Sequence, residues 1–265
     1  MLGSEGTLGF ITEINLKLHG RPEAISAGVC TFKDLKGAID TVIESIQVGL
    51  PLSRIELLDE VQIKAINQYK KVSHEIGPTL FVEIQGMPLS VKEQSEIFRD
   101  IAEANNILKF QWSDRSEEIE VLWSARHDAY YAALALAPGK KAFTTDICVP
   151  ISNLTDCIIE TKKDIEQSNI IAPIVGHVGD GNFHLIMLLD PENKKEVSEA
   201  KQLNDKLVNR ALKMEGTSTG EHGIGIGKKE FLKTEQGLSV EIMSQIKKAI
   251  DPKNIMNPGK IFDIN

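Results

Sequence analysis

Val175-Gly176-His177-Val178-Gly179-Asp180-Gly181-Asn182-Phe183-His184-Leu185 carries the strongest fold signal in this 265-residue chain. Apolar positions alternate on both sides of Asp180-Gly181. Asp-Gly in that setting predicts a β-hairpin, because a type I′ turn needs positive φ at both central residues. With Asp180 and Gly181 as the two loop residues, Gly179 faces Asn182, Val178 faces Phe183 and His177 faces His184. Directly opposed residues have Cβ atoms about 5 Å apart on one sheet face, so the two imidazoles can share a divalent metal. A different turn register breaks this geometry. The plain alternative is a tight hairpin whose two histidines fill polar niches.

Outward from the hairpin, strands and helices alternate along the chain. Phe10 to Leu18 alternates apolar and polar and reads as a strand, as do Ser26–Phe32, Arg54–Leu58, Thr79–Ile84, Leu108–Trp112 and Ala142–Val149. Leu35, Ala38, Ile39, Val42, Ile43 and Ile46 recur at helical spacing after Asp34, a candidate cap. Further helices are expected after Leu58, from Ser90, over Glu117–Leu136 and Asn153–Gln167, and from about Glu192 to Met214. For the last of these Asp190 is a candidate cap and Pro191 a candidate first residue. Past Ser218 the chain reads as loop, one helix (Ser239–Ile250) and a proline-containing tail. The hairpin and the alternating strands favour an α+β fold with a mixed or antiparallel sheet covered by helices.

A second cluster, Thr219-Gly220-Glu221-His222-Gly223-Ile224-Gly225, sets a carboxylate and an imidazole side by side among glycines that allow close backbone approach. Glu221 would complete a His-His-carboxylate metal set with open positions, leaving His222 as an acid/base; a solvated loop is the bland reading. Gly223 to Lys229 lacks the spacing and the hydroxyl of a phosphate loop. Gly3, Gly6 and Gly9 lack dinucleotide-fingerprint spacing. In Trp123-Ser124-Ala125-Arg126-His127-Asp128-Ala129-Tyr130-Tyr131, Arg126 lies on an apolar-rich helix and suits bidentate carboxylate binding. An ion pair with Asp114, Glu117 or Glu118 is the alternative. His127, followed by polar Asp128, is not a site candidate, and His19 and His74 read as surface residues.

Composition narrows the function. A formal charge of −8 without a long basic run disfavours nucleic acid and a polybasic membrane patch. No apolar stretch is long enough for a transmembrane segment. Cys30, Cys148 and Cys157 are too scattered for a zinc motif and read as reduced thiols of an intracellular protein, cytoplasmic in a bacterium or mitochondrial in a eukaryote. The chain opens on the dense loop motif Leu2-Gly3-Ser4-Glu5-Gly6-Thr7-Leu8-Gly9, with nothing before it to hold the loop, so its beginning looks cut.

Gly3–Gly9, Gly176–His184 and Gly220–Gly225 together resemble motifs of the FAD-linked oxidases of the vanillyl-alcohol-oxidase type. Asp251-Pro252-Lys253-Asn254-Ile255-Met256-Asn257-Pro258-Gly259-Lys260 resembles that family's ending. Trp123–Tyr131, Thr145–Pro150 and the two His motifs are most similar to its FAD-dependent D-lactate dehydrogenase branch. The resemblance covers essentially the whole chain and implies a ferredoxin-like substrate domain. By it, residues 1–20 are a remnant of an N-terminal FAD-binding domain, 21–217 the substrate-binding cap, and 218–265 a segment returning toward the FAD domain.

The resemblance further implies oxidation of D-lactate or a related D-2-hydroxy acid, with hydride passing to FAD and on to an external acceptor. His177, His184 and Glu221 would hold a divalent metal, zinc or manganese. His222 would take the hydroxyl proton, Arg126 would grip the carboxylate and Asn182 would orient the substrate. Gly3, Ser4, Glu5, Gly6, Thr7, Gly9 and Asn257 would lie beside the flavin. Without the other flavin loops the chain alone is expected neither to retain FAD nor to turn over substrate, and the face left by the FAD domain could promote self-association. D-2-hydroxyglutarate dehydrogenase and a glycolate oxidase subunit are same-class alternatives, Lys140 and Lys141 being available for a second carboxylate. A non-catalytic metal-binding domain is the alternative from another class.

Overall fold

The hairpin around residue 180 forms, and it forms toward one end of an antiparallel sheet. The computed structural model describes residues 1–264. Its strands are β1 (Ala24–Phe32), β2 (Leu52–Leu58), β3 (Thr79–Gly86), β4 (Ile107–Ser113), β5 (Lys141–Thr144), β6 (Ile147–Cys148), β7 (Ile174–Gly176) and β8 (Asn182–Leu189). They run in the order β4-β1-β3-β2-β7-β8-β5, with β6 also on β8. Every pairing is antiparallel.

Helices cover both faces. Helices α1 (Leu35–Gln47), α3 (Pro88–Ala104), α6 (Leu154–Glu166) and α7 (Lys194–Lys213) pack on the face carrying Phe32, Leu57, Val82 and Leu185. Helices α2 (Glu60–Lys70), α4 (Ser116–His127) and α5 (Ala129–Ala135) pack on the face carrying Val29, Leu58, Phe81 and Ile186. All eight residues of β8 are buried, as a near-continuous apolar run requires when both faces are covered. Each such Leu, Ile or Phe contributes roughly 1.5–3 kcal/mol through burial. Helices α8 (Lys229–Gln236) and α9 (Ser239–Ile250) close a small separate cluster of Ile224, Leu232, Val240, Ile261 and Phe262. Among the described residues, no helix is long and apolar enough to cross a membrane.

Local chemistry accounts for several boundaries. Asp34 caps α1 by accepting from the Gly37 N–H at 2.8 Å. Asp34→Ala is therefore expected to cost about 1 kcal/mol, read from the urea midpoint; no change would mean that the cap is idle. Asn193, and not Asp190, caps α7, because its side chain accepts from the Lys195 and Glu196 N–H groups. The expected Glu117–Leu136 helix breaks at Asp128, whose ψ of 3° departs from helical geometry and whose carboxylate is drawn to Lys70. Ala142–Val149 splits into β5 and β6, and α8 lies where a loop was expected. Phe10 to Leu18 pairs with no strand among the described residues and is exposed throughout, so its alternation is never completed by a hydrogen-bonded neighbour.

The hairpin register also differs from expectation. Val175 pairs with His184 and Ile174 with Leu185, while Val178–Asp180 forms a 3₁₀ turn closed by left-handed Gly181 at φ 79°. The turn is longer than two residues, and the register is displaced by two. A shift of two preserves which face each side chain occupies, so His177 becomes the diagonal neighbour of His184 and stays within reach of it.

Candidate metal and substrate site

Alternation along the strands builds the site on the face covered by α2, α4 and α5. On β8, Leu188 and Ile186 on that face give way to His184 and Asn182; on β2, Leu58 gives way to Glu56. Leu57 pairs with Gly176 across the β2–β7 ladder, which sets Glu56 opposite His177. Opposed residues of an antiparallel pair project to the same face. The His177 and His184 rings lie 5.7 Å apart, nearly perpendicular, and His222 stacks on His184 at 5.0 Å.

The carboxylate of Glu221 is the meeting point. Its Oε1 lies 3.3 Å from His184 Nε2, 3.5 Å from His177 Nε2 and 3.5 Å from His222 Nε2. His184 is buried, while Glu221 and His222 are about half exposed. His184 Nδ1 is 2.8 Å from the Thr145 carbonyl. A carbonyl only accepts, so Nδ1 carries the proton and the Nε2 lone pair faces Glu221. Burial lowers the His184 pKa. His177 moves the other way, raised by its hydrogen bond to Glu56 against opposing burial. Ligand atoms 3.3–3.5 Å apart match about the edge of a tetrahedron with 2.1 Å metal–ligand bonds, so the residues fit a divalent ion.

Asp146, His184 and His222 form a second group of ligand-type atoms, but Asp146 is already spent. Its buried carboxylate accepts from Thr219 Oγ1 (2.6 Å), the His222 N–H (2.9 Å), the Glu221 N–H (3.2 Å), Asn182 Nδ2 (3.0 Å) and Lys228 Nζ (3.1 Å). Burial alone would raise this carboxyl; the Thr219 and His222 hydrogen bonds and the Lys228 charge outweigh it and hold it well below the usual carboxylate range. Its role is to pin the 219–223 loop so that Glu221 and His222 point at the hairpin.

Arg126, on α4, donates from Nε (3.2 Å) and Nη2 (3.0 Å) to Glu56 Oε2, and not to Asp114, Glu117 or Glu118. Asn182 donates to Asp146 and to the Ile147 carbonyl, while its own Oδ1 is buried without a partner among the described residues. Lys140 is engaged by Glu196, and neither it nor Lys141 joins this cluster. Glu56 and Asp146 were absent from the site expected on sequence.

Both ends of the chain arrive at the rim. Residues 1–9 form a tight loop in which Thr7 donates to the Ser4 carbonyl. The Glu5 carboxylate accepts from the Ile224 (2.6 Å) and Gly225 (2.8 Å) N–H groups, and Asn257 Nδ2 donates to the Glu5 carbonyl. Of this loop, Glu5 meets the 220s loop, and Asn257 lies against Glu5 and Gly6.

A family profile described as "FAD linked oxidases, C-terminal domain" matches residues 21–261. The chain is 47% identical over 264 residues to a probable mitochondrial D-lactate dehydrogenase of Danio rerio, covering 99% of this chain and 53% of that protein. It is 42% identical to the mitochondrial D-lactate dehydrogenase [cytochrome] of Arabidopsis thaliana, covering 99% of this chain and 46% of that one. The chain spans about half the length of the curated relatives it matches. A 4-ethylphenol oxidase from Gulosibacter chungangensis superposes with a TM-score of 0.70 at 15% identity, covering 94% of this chain and 55% of the other, a likeness of fold alone.

Proposed function

The chain belongs to the FAD linked oxidases, C-terminal domain family, and we propose that it is the substrate- and metal-holding part of a flavin-dependent D-2-hydroxy-acid dehydrogenase acting on D-lactate or a close relative. The observation that carries this reading is the convergence of three imidazole nitrogens on Glu221 Oε1 within 3.5 Å, next to an arginine suited to a carboxylate.

His177, His184 and Glu221 would hold a divalent ion, zinc or manganese. Such an ion supplies Lewis-acid polarisation of a bound hydroxyl, and FAD supplies the acceptor for the electron pair. Arg126 spends Nε and Nη2 on Glu56 and offers Nη1 to a substrate carboxylate, fixing which face of the acid is presented. His222, half exposed and held against His184 by stacking, receives the hydroxyl proton at Nε2. Asn182, buried behind the 219–223 loop with its Oδ1 shielded from solvent, would orient the substrate through the loop it backs. The loop of residues 3–9 with Asn257 forms the flavin-facing rim, residues 21–217 form the cap that carries His177, His184 and Arg126, and residues 218–265, which carry Glu221 and His222, return toward the flavin.

Elemental analysis of the purified chain, together with its near-ultraviolet to blue absorbance, tests this. About one equivalent of zinc or manganese is expected, lost in His177→Ala, with no flavin band from the chain alone. A chain without metal, or metal retained by His177→Ala, would overturn the ligand assignment. A flavin band would show that these residues hold the cofactor unaided.

A further inference from the structure

Glu56 enters the mechanism above only as the partner of Arg126, yet its side chain touches both Arg126 and His177. Its side chain is 13% exposed. Oε1 lies 2.7 Å from His177 Nδ1, and Oε2 takes both Arg126 donors at 3.0 and 3.2 Å. The placement follows from the sheet: the β2–β7 ladder sets residue 56 across from residue 177, and strand alternation turns Glu56 to the face that α4 covers with Arg126.

We infer that Glu56 is a positioning residue that fixes the proton of His177 on Nδ1, turning its Nε2 lone pair toward Glu221, and holds Arg126 beside the same site through its second oxygen. The first half follows from hydrogen-bond chemistry. A carboxylate offers only acceptors, so the ring nitrogen 2.7 Å from Glu56 must carry hydrogen, and in a neutral ring the other nitrogen is then free to ligate. A histidine ligand whose second nitrogen donates to a carboxylate is oriented and made more basic, and loss of that partner typically weakens metal binding about 10–100-fold. His184 reaches the same state through the Thr145 carbonyl, but His177 sits at the mouth of the turn with its side chain 36% exposed. Among the described residues Glu56 is the hydrogen-bond partner of its Nδ1, and the other polar contact of the ring is Glu221 at 3.5 Å.

The second half follows from the shared carboxylate. One residue fixes the ring that faces the metal position and the guanidinium that faces the substrate, so their spacing is set by a single side chain. This inference rests on the proposed ligand set, but its tautomer component stands apart from it.

The test uses the whole chain with its histidines labelled with ¹⁵N, and zinc alone as the probe. In the wild type, His177, identified by the signal missing in His177→Gln, is expected in the Nδ1–H form. In Glu56→Gln it is expected to shift to the Nε2–H form or a mixture, and zinc affinity, read by competition with a chromophoric chelator, to fall about 10–100-fold. An Nε2–H signal for His177 in the wild type would overturn the inference without any Glu56 variant. So would an unchanged tautomer in Glu56→Gln, or zinc affinity within twofold of wild type. Should the wild type bind no zinc, the ligand assignment fails, and the tautomer measurement alone still decides whether Glu56 sets His177.

Discussion

Asp146→Asn is expected to lower the unfolding free energy by about 3 kcal/mol at neutral pH and to weaken metal binding at least tenfold. The carboxylate is buried and accepts only from donors: a hydroxyl, two backbone N–H groups, an amide and a lysine ammonium. Asparagine keeps the volume but turns one oxygen into an NH₂ facing those donors, and it leaves Lys228 without its counter-charge. The pH dependence separates this from a generic packing loss. The folded pKa of Asp146 is depressed, so its contribution is fully present above the unfolded value of about 3.9 and is lost as pH falls below it through the folded value. Urea titrations at pH 7, 5 and 3 should show a constant gap between wild type and variant at the two higher values and a smaller gap at pH 3. A gap below 1 kcal/mol, or one that does not narrow in acid, would mean that the carboxylate does not anchor the loop.

Gly220→Ala carries the second large effect. A Cβ there would lie 2.0 Å from Asn182 Nδ2 and 2.8 Å from its Cγ. Asn182 cannot swing aside cheaply, because it is buried and held by Asp146 and the Ile147 carbonyl. The loop must move instead, which costs about 2 kcal/mol as overpacking does and carries Glu221 and His222 away from the hairpin. Gly227→Ala is the matched control: nothing lies within 4 Å of its Cβ position, and its stability should stay within about 0.5 kcal/mol of wild type. Calorimetric unfolding and zinc titration of both variants would check this, and equal behaviour of the two would remove the steric argument.

The two effects bear on how much of the molecule was legible before it was folded. Asp34 and the recurrent apolar positions behind it give α1 because cap and face are both local. The β8 run and the Asp180-Gly181 punctuation give a hairpin, but not its register. The turn signal assumes two loop residues, whereas His177 to Gly181 spends more chain on a 3₁₀ turn. The histidines still meet, since a displacement of two leaves the faces unaltered. Arg126 was legible as a carboxylate binder, but its partner was sought nearby at Asp114, Glu117 or Glu118 and lies 70 residues away at Glu56. Asp146 is likewise separated by 73 to 82 residues from Thr219, Glu221, His222 and Lys228. Such supporting carboxylates leave no periodicity and no spacing; only the sheet order brings them in. Phe10 to Leu18 shows the converse, a pattern with no neighbour to complete it.

The clasp between Glu5 and the Ile224 and Gly225 amides joins residues 219 and 220 apart. Closing a loop of that size costs on the order of 5 kcal/mol of chain entropy, far more than two hydrogen bonds return. The clasp therefore cannot nucleate folding. It can only be added once the sheet has brought the ends together, as expected for contacts of the longest sequence separation. The rim is thus expected to open before the hairpin beneath it, whose strand β8 is buried along its whole length. Losing the clasp would free the Ile224 and Gly225 end of the loop, while Asp146 still pins Thr219, Glu221 and His222 and the hairpin still holds His177 and His184.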